Sequence, residues 1–554
     1  MITILSPVHS EKMSAEADNR SQSGDEGATV RPRGILSNSA WNYTGAGFGL
    51  VATLVTTPIY LHALGLERFG LFAVLLAILS PMGVLNAGVT QGTVKFIATF
   101  SEQKNHTAVR ECVVAGLLIN MAVGLFGAVA CIIAAPCFLN LGFKIAPELA
   151  GEAQVALRLM GLQWFVTQVA STFRGVFEGL RDQRKVVIGD TIGTVLTAIL
   201  CSVAAVITGK LSWLIAGQVA AGILLAIYWL VQARTAVRGF QMASRISSQR
   251  IGQVYGYSRW QVLNAAAAIL ANVGDRYFIG IFLSAATLGA YNVALRAQSV
   301  GRTLFYSVNQ ALFPAASAVS TQPGASELLV VTVTWHVSLM AGIGLGAMTV
   351  CGPSFLHLWV GPEIAGSTGL ALRLLLLTLL LEIPSATGAS YLNAHGLTRL
   401  SMFNNVITTI LTIGLMVPLG LLYGVNGVAA SGLIGLGLSR APFHFWMHKA
   451  FFSNHVDRRH FLHAFYGVSV FNFLAAMITW PIFDAIFSHV GGFSGFMYAT
   501  VVTGPIFLCI VLLSVIHILK DAERLTELSV AIAARRLPVL SRGFTRLISW
   551  VSPQ

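Results

Sequence analysis

Fourteen apolar stretches follow one another along the chain, at about 38–62, 70–90, 111–134, 155–177, 186–208, 211–233, 260–282, 287–312, 329–352, 369–391, 402–422, 425–447, 461–485 and 495–519. Each approximates the ~20 residues that a helix needs to cross a hydrocarbon core. Short polar gaps separate them, and the largest gap on one face, roughly 135–154, leaves no room for a folded domain there. The pattern predicts an all-α, polytopic membrane protein with about 14 transmembrane helices. The working parts must then lie among the helices themselves.

Composition agrees. A mean hydropathy of +0.73 with only 10% charged residues excludes an ordinary soluble globule. Lys and Arg number 35 against 22 Asp and Glu, for a net charge of +13. The cations gather in alternate gaps, and the opposite gaps hold only Arg68, Lys144 and Lys210. Cytoplasmic loops retain Lys and Arg, so the pattern predicts that both termini are cytoplasmic. It also accounts for the basic balance without a nucleic-acid partner.

The six cysteines lie in or beside the stretches without C-x-x-C spacing and read as packing residues. His444, His448, His455, Asp457, His460 and His463 gather near one gap. A basic segment at an anionic membrane surface explains them better than a metal site does. No metal or cofactor is expected.

Internal similarity suggests a duplication. Arg68-Phe-Gly70-Leu-Phe72, entering the second stretch, corresponds to Thr287-Leu-Gly289-Ala-Tyr291, entering the eighth. Glu178-Gly179-Leu-Arg181 resembles His395-Gly396-Leu-Thr-Arg399, and Thr194-Val-Leu-Thr197 resembles Thr409-Ile-Leu-Thr412. A shift of six helices implies two lobes in the same orientation, related by an axis along the membrane normal. The expected organisation is a disordered cytoplasmic arm (1–36), a six-helix lobe (37–233), a cytoplasmic linker (234–259), a second six-helix lobe (260–448), two C-terminal helices (449–519) and a basic amphipathic tail (520–554).

Several segments resemble polysaccharide flippases of the Wzx type. They are Asn42-Tyr through Pro58-Ile-Tyr60 to Leu64-Gly65-Leu-Glu-Arg68-Phe-Gly70, Leu85-Asn86-Ala-Gly88 to Lys95, Phe173-Arg174-Gly-Val-Phe-Glu178-Gly179, Asn272-Val-Gly-Asp275-Arg276-Tyr-Phe-Ile-Gly280 and Leu288-Gly289-Ala-Tyr291. The resemblance spans about 38–450. It implies a superfamily that also holds multidrug exporters and the lipid II flippase. It further implies a substrate of undecaprenyl-pyrophosphate-linked oligosaccharide, turned from the cytoplasmic to the outer leaflet of a bacterial inner membrane. Polysaccharide polymerase and export machinery are the further partners implied. The family often carries Asp where Asn86 stands here.

Interior charges point the same way. Arginine at a helix centre costs roughly 2.5–3.5 kcal/mol on insertion scales, so it faces a partner or a watery cavity. Arg158, Arg276, Arg296, Arg302 and Arg373 fall inside apolar stretches. Gln298, Arg302, Tyr306 and Asn309 recur at helical spacing as one polar stripe, and Asn292 lies four residues before Arg296. Arg296 and Arg302 are the first candidates for the pyrophosphate, because a guanidinium fork matches phosphate oxygens. Arg276, Asn272, Gln298, Tyr306, Asn309, Arg373 and Arg158 complete the substrate-binding set. For Arg158 and Arg373, near helix ends, snorkelling to the interface is the cheaper reading. The alternative for any of these arginines is a carboxylate in a neighbouring helix, with Asp275, Glu382 and Asp190 available. Asp275 either pairs with an arginine of the eighth stretch or carries a coupling proton or Na⁺. A multidrug exporter remains a rival, as does the lipid II flippase. A membrane polymerase is disfavoured by the short outer gaps, which offer no loop for paired carboxylates.

Overall fold

A computed structural model describes residues 32–136, 143, 145–237, 252, 273–318, 324–395 and 397–512, and their side chains except at 32–43, 84–89, 91, 304–318, 325, 394, 398 and 399. The described residues are helical with short connections. In chain order the helices are α1 (Pro32–Leu79), α2 (Gly83–Glu102), α3 (His106–Ala134), α4 (Ala150–Gly179), α5 (Gln183–Thr208), α6 (Leu211–Ala236), α7 (Ala285–Ala318), α8 (Ala325–Val360), α9 (Pro362–Ala394), α10 (Thr398–Met447), α11 (Arg458–Leu462), α12 (Val468–Val490) and α13 (Gly492–Leu512). A helical segment at 273–278 runs into the π-turn Ile279–Leu283 before α7. Nine described helical segments are long and apolar enough to cross a bilayer.

Two of these helices each join two of the predicted spans. Within α1, Gly65 takes φ 76°, ψ 166°, and within α10, Gly424 takes φ 57°, ψ −136°. Residues with a Cβ are strained there, so a single glycine turns the chain. This economy explains why the outward gaps looked so short. At the opposite end the turns use polar caps. Asn105 and Asp182 accept hydrogen bonds from the backbone N–H groups of Ala108 (3.0 Å) and Lys185 (3.2 Å), covering orphan donors of α3 and α5. Glu152 ties three segments together: one oxygen takes Arg68 Nε at 2.9 Å, and the other caps the first N–H of α6 at Leu211.

The second predicted span extends further than its apolar run. After Leu79 it passes through a 3₁₀ turn at Ser80–Met82 and continues to Glu102. Pro81 has no N–H, so the Ala77 carbonyl loses its helical partner. Ser80 Oγ (2.6 Å) and the Tyr277 hydroxyl (3.0 Å) donate to it instead. α1 also begins at Pro32, within the segment expected to be a disordered arm. The remainder of that arm, most of the 234–259 linker and the basic tail lie outside the described residues.

Packing is fused at one end and divided at the other. One core holds Leu64, Phe69 and Leu75 of α1, Leu157 of α4 and Leu211 of α6 together with Leu288, Val293, Leu345, Leu376 and Ile383 from the later helices. Towards the other end, among the described residues, the early helices have their own core around Phe173, Phe177 and Trp229. The later helices have a separate one around Tyr391, Phe452, Phe461 and Phe465. The fused end is also where backbone comes closest to backbone. A Cβ added to Gly70 would collide with the Ala285 carbonyl oxygen, and one added to Gly289 would stand 2.9 Å from Gly70 Cα. On the outside of the bundle, Phe126, Ile207, Ile410, Leu422 and Val501 are exposed, the surface that lipid covers.

Candidate functional site: a polar cavity bordered by Arg296

A cavity of about 500 Å³ opens between α1, α5 and α6, with Arg296 of α7 at its margin. Its polar face follows from spacing. Thr53, Thr56 and Tyr60 recur three and four residues apart on α1, as do Asp190, Thr194, Thr197 and Cys201 on α5. Gln218 of α6 adds an amide whose oxygen makes no hydrogen bond among the described residues. Thr194 and Thr197 were legible only as part of a repeat motif, and the face they share with Thr53 and Thr56 became visible once the helices were placed.

Arg296 is half-buried; its Nη1 donates to Thr57 Oγ1 at 3.0 Å, and its guanidinium sits 5.2 Å from the centre of the Phe69 ring. Among the described residues it has no carboxylate partner. Arg276 lies near enough to add to the positive potential there, and its buried Nε has no hydrogen-bond partner. Asp275 pairs with neither α7 arginine: its carboxylate accepts from the Tyr291 hydroxyl (3.0 Å) and the backbone N–H of Arg276 (2.8 Å). A half-buried cation without a counter-ion is costly unless water or an anion completes it. The arrangement therefore suits an anionic group placed where the two halves of the chain meet.

The other predicted positions divide. Arg302 donates to Glu382 at 2.9 Å, the carboxylate alternative named for it. Gln298 is buried and gives its amide to the Leu375 carbonyl at 2.9 Å, so it fastens α7 to α9. Arg373 does not snorkel. It is 8% exposed, binds both Asp484 oxygens (2.6 and 2.8 Å) and the Thr349 carbonyl (3.2 Å), and stacks 4.7 Å from Trp480. Arg158 is exposed, consistent with its position near a helix end. Asn272 lies outside the described residues, as do the side chains of Tyr306, Asn309 and Asn86. Gln168 is fully buried against Gly124, away from the cavity.

Arg174, inside the stretch 155–177, is a further interior cation: within α4 its Nε and Nη2 bind Asp190 (both 2.8 Å) and Nη1 binds Glu178 at 2.6 Å. The four-residue step from Arg174 to Glu178 was the available signal. Among the described residues no group of His, Cys, Asp and Glu is arranged to hold a metal. His444 meets the Tyr466 hydroxyl (2.6 Å), and His448 meets the Val456 carbonyl (3.0 Å).

The sequence pattern of the polysaccharide biosynthesis protein family matches residues 35–320, just over half of the chain. The chain belongs to this family. No curated protein sequence matches it. Among solved structures, this polysaccharide biosynthesis protein is similar to the lipid II flippase MurJ in an inward closed conformation, with a TM-score of 0.66 at 13% identity over 88% of this chain and 99% of that one. It is also similar to an inward-facing multidrug resistance MATE transporter (0.65, 15%, 73% and 95%). The MATE multidrug transporter DinF-BH gives 0.61 at 15%, over 77% and 98%. At such identities the likeness establishes the fold. The protein is a multi-pass, all-α membrane protein with the architecture that these transporters share.

Proposed function

We propose that this protein flips undecaprenyl-pyrophosphate-linked oligosaccharide from the cytoplasmic to the outer leaflet of the bacterial inner membrane, acting as a transporter and not as an enzyme. Arg296 carries the proposal. It is a half-buried guanidinium with no carboxylate partner among the described residues, at the edge of a polar cavity, in a member of a polysaccharide biosynthesis family. A pyrophosphate supplies the missing counter-charge, and Arg276 shares it. An organic cation, the cargo of a multidrug exporter, would be repelled at this point. The glycan occupies the cavity, and the isoprenoid tail stays in lipid.

The Lys- and Arg-rich gaps support an orientation with the divided end of the molecule and both termini on the cytoplasmic side. The cavity then loads from the cytoplasmic side, while the fused core closes the outer side. Rocking of two six-helix lobes reverses the access. The test is to delete the gene and locate the lipid-linked oligosaccharide. Retention on the inner leaflet is expected. Accumulation of single repeat units on the outer face would instead indicate a lost polymerase and overturn the proposal.

A further inference from the structure

We infer that the wall formed by α1, α5 and α6 reads the glycan and favours neutral, hydroxyl-rich sugars over acidic ones; this rests on the flippase reading above. Much of the hydroxyl donor capacity of this wall is already used within its own helices. Thr53, Thr56 and Thr194 each donate their single hydroxyl proton to a carbonyl one turn back, at Gly49 (2.9 Å), Ala52 (2.8 Å) and Asp190 (2.9 Å). Lone pairs are what these side chains have left to offer the cavity. The Asp190 carboxylate only accepts, and Arg174 holds it in place with two hydrogen bonds. The Gln218 amide can donate as well as accept.

A ligand along this wall must bring its own donors, which sugar hydroxyls do. A sugar carboxylate would lie against threonine lone pairs and the Asp190 charge. Only the Gln218 amide and the Thr197 and Tyr60 hydroxyls could answer it. Arg174 is engaged by Asp190 and Glu178, and further positive potential sits elsewhere, at Arg296 and Arg276. The ligand's charge is therefore expected at one margin of the cavity and its neutral, proton-donating part along the length. From Asp190 to Cys201 the α5 face extends about 16 Å at 1.5 Å per residue, enough for linked sugar rings in a row.

The test measures binding to the full-length protein in lipid nanodiscs with three probes: undecaprenyl pyrophosphate, its glucosyl derivative and its glucuronosyl derivative. Glucose should tighten binding by about 10-fold or more over the bare lipid, and glucuronate should give no gain. In Thr56→Val/Thr194→Val/Gln218→Leu, the ratio of bare to glucosylated dissociation constants should fall to within about 2-fold of unity. A glucuronosyl probe that binds as tightly as the glucosyl one overturns the inference, as does a glucose gain that survives the triple substitution. If the bare lipid pyrophosphate does not bind at all, the flippase reading itself fails.

Discussion

At the residue scale, the interior arginines do different work, and their partners decide which. Arg296 has a hydroxyl and an aromatic face but no acid among the described residues, which is what the proposed contact with an anionic cargo requires. Replacing it with Ala should reduce surface glycan by about 100-fold or more, the order reached when a preorganised charge-assisted contact worth about 3 kcal/mol is lost. Lys at this position keeps the charge but loses the planar fork, so Arg296→Lys should fall between the two. Both variants must be compared at equal membrane abundance. Arg302 should behave differently. Removing it takes from the partly buried Glu382 the hydrogen bond that Arg302 donates, a cost of about 1–2 kcal/mol that appears as a lower unfolding temperature in detergent. Adding Glu382→Gln to Arg302→Ala should restore much of that loss, and failure of the rescue would break the structural assignment. Sequence placed both arginines in helix interiors correctly. It could not separate them, because the deciding fact is an acid 80 residues away. Asp484 was missed for the same reason: it lies in a late span, and only tertiary packing sets it against Arg373.

At the element scale, apolar run length located the helices well because bilayer thickness fixes it. Boundaries failed where a helix emerges into polar sequence, as when the second span continues to Glu102. They also failed where one glycine makes the whole turn, as at Gly65. The 3₁₀ break is the element with the clearest consequence. Pro81 frees the Ala77 carbonyl, and Tyr277 closes over it from the other half of the chain. In Pro81→Ala the regained N–H can satisfy Ala77 within its own helix. Tyr277→Phe should therefore lower stability by about 0.5–1.5 kcal/mol in the native background and by much less in Pro81→Ala. A double-mutant cycle on thermal unfolding measures the coupling. Additive effects would mean that the hydroxyl contributes nothing through Ala77.

At the scale of the whole molecule, the repeat read from sequence meets itself. Gly70 and Gly289, equivalent positions in the two matched motifs, are in contact in the fused core. Such closeness needs hydrogen on both sides, and any Cβ must push the two helices apart. The added side chain would damage one packing arrangement, the one in which this end is closed. At the opposite end the two cores are already separate, so lobe movement need not break either of them. Gly70→Leu should therefore shift the population towards a cavity open at the fused end and leave the individual helices folded. A single cysteine at Gln218, in a background without the native thiols (Cys201 lines the same cavity), reports this directly. In native sequence a membrane-impermeant maleimide should label it in inside-out vesicles and spare it in right-side-out cells. In Gly70→Leu the preference should reverse, since moving an equilibrium from 1:99 to 99:1 takes only about 5.5 kcal/mol and the clash falls on backbone that cannot yield. Unchanged sidedness with an intact unfolding transition would show that the glycine contact packs the protein without gating it.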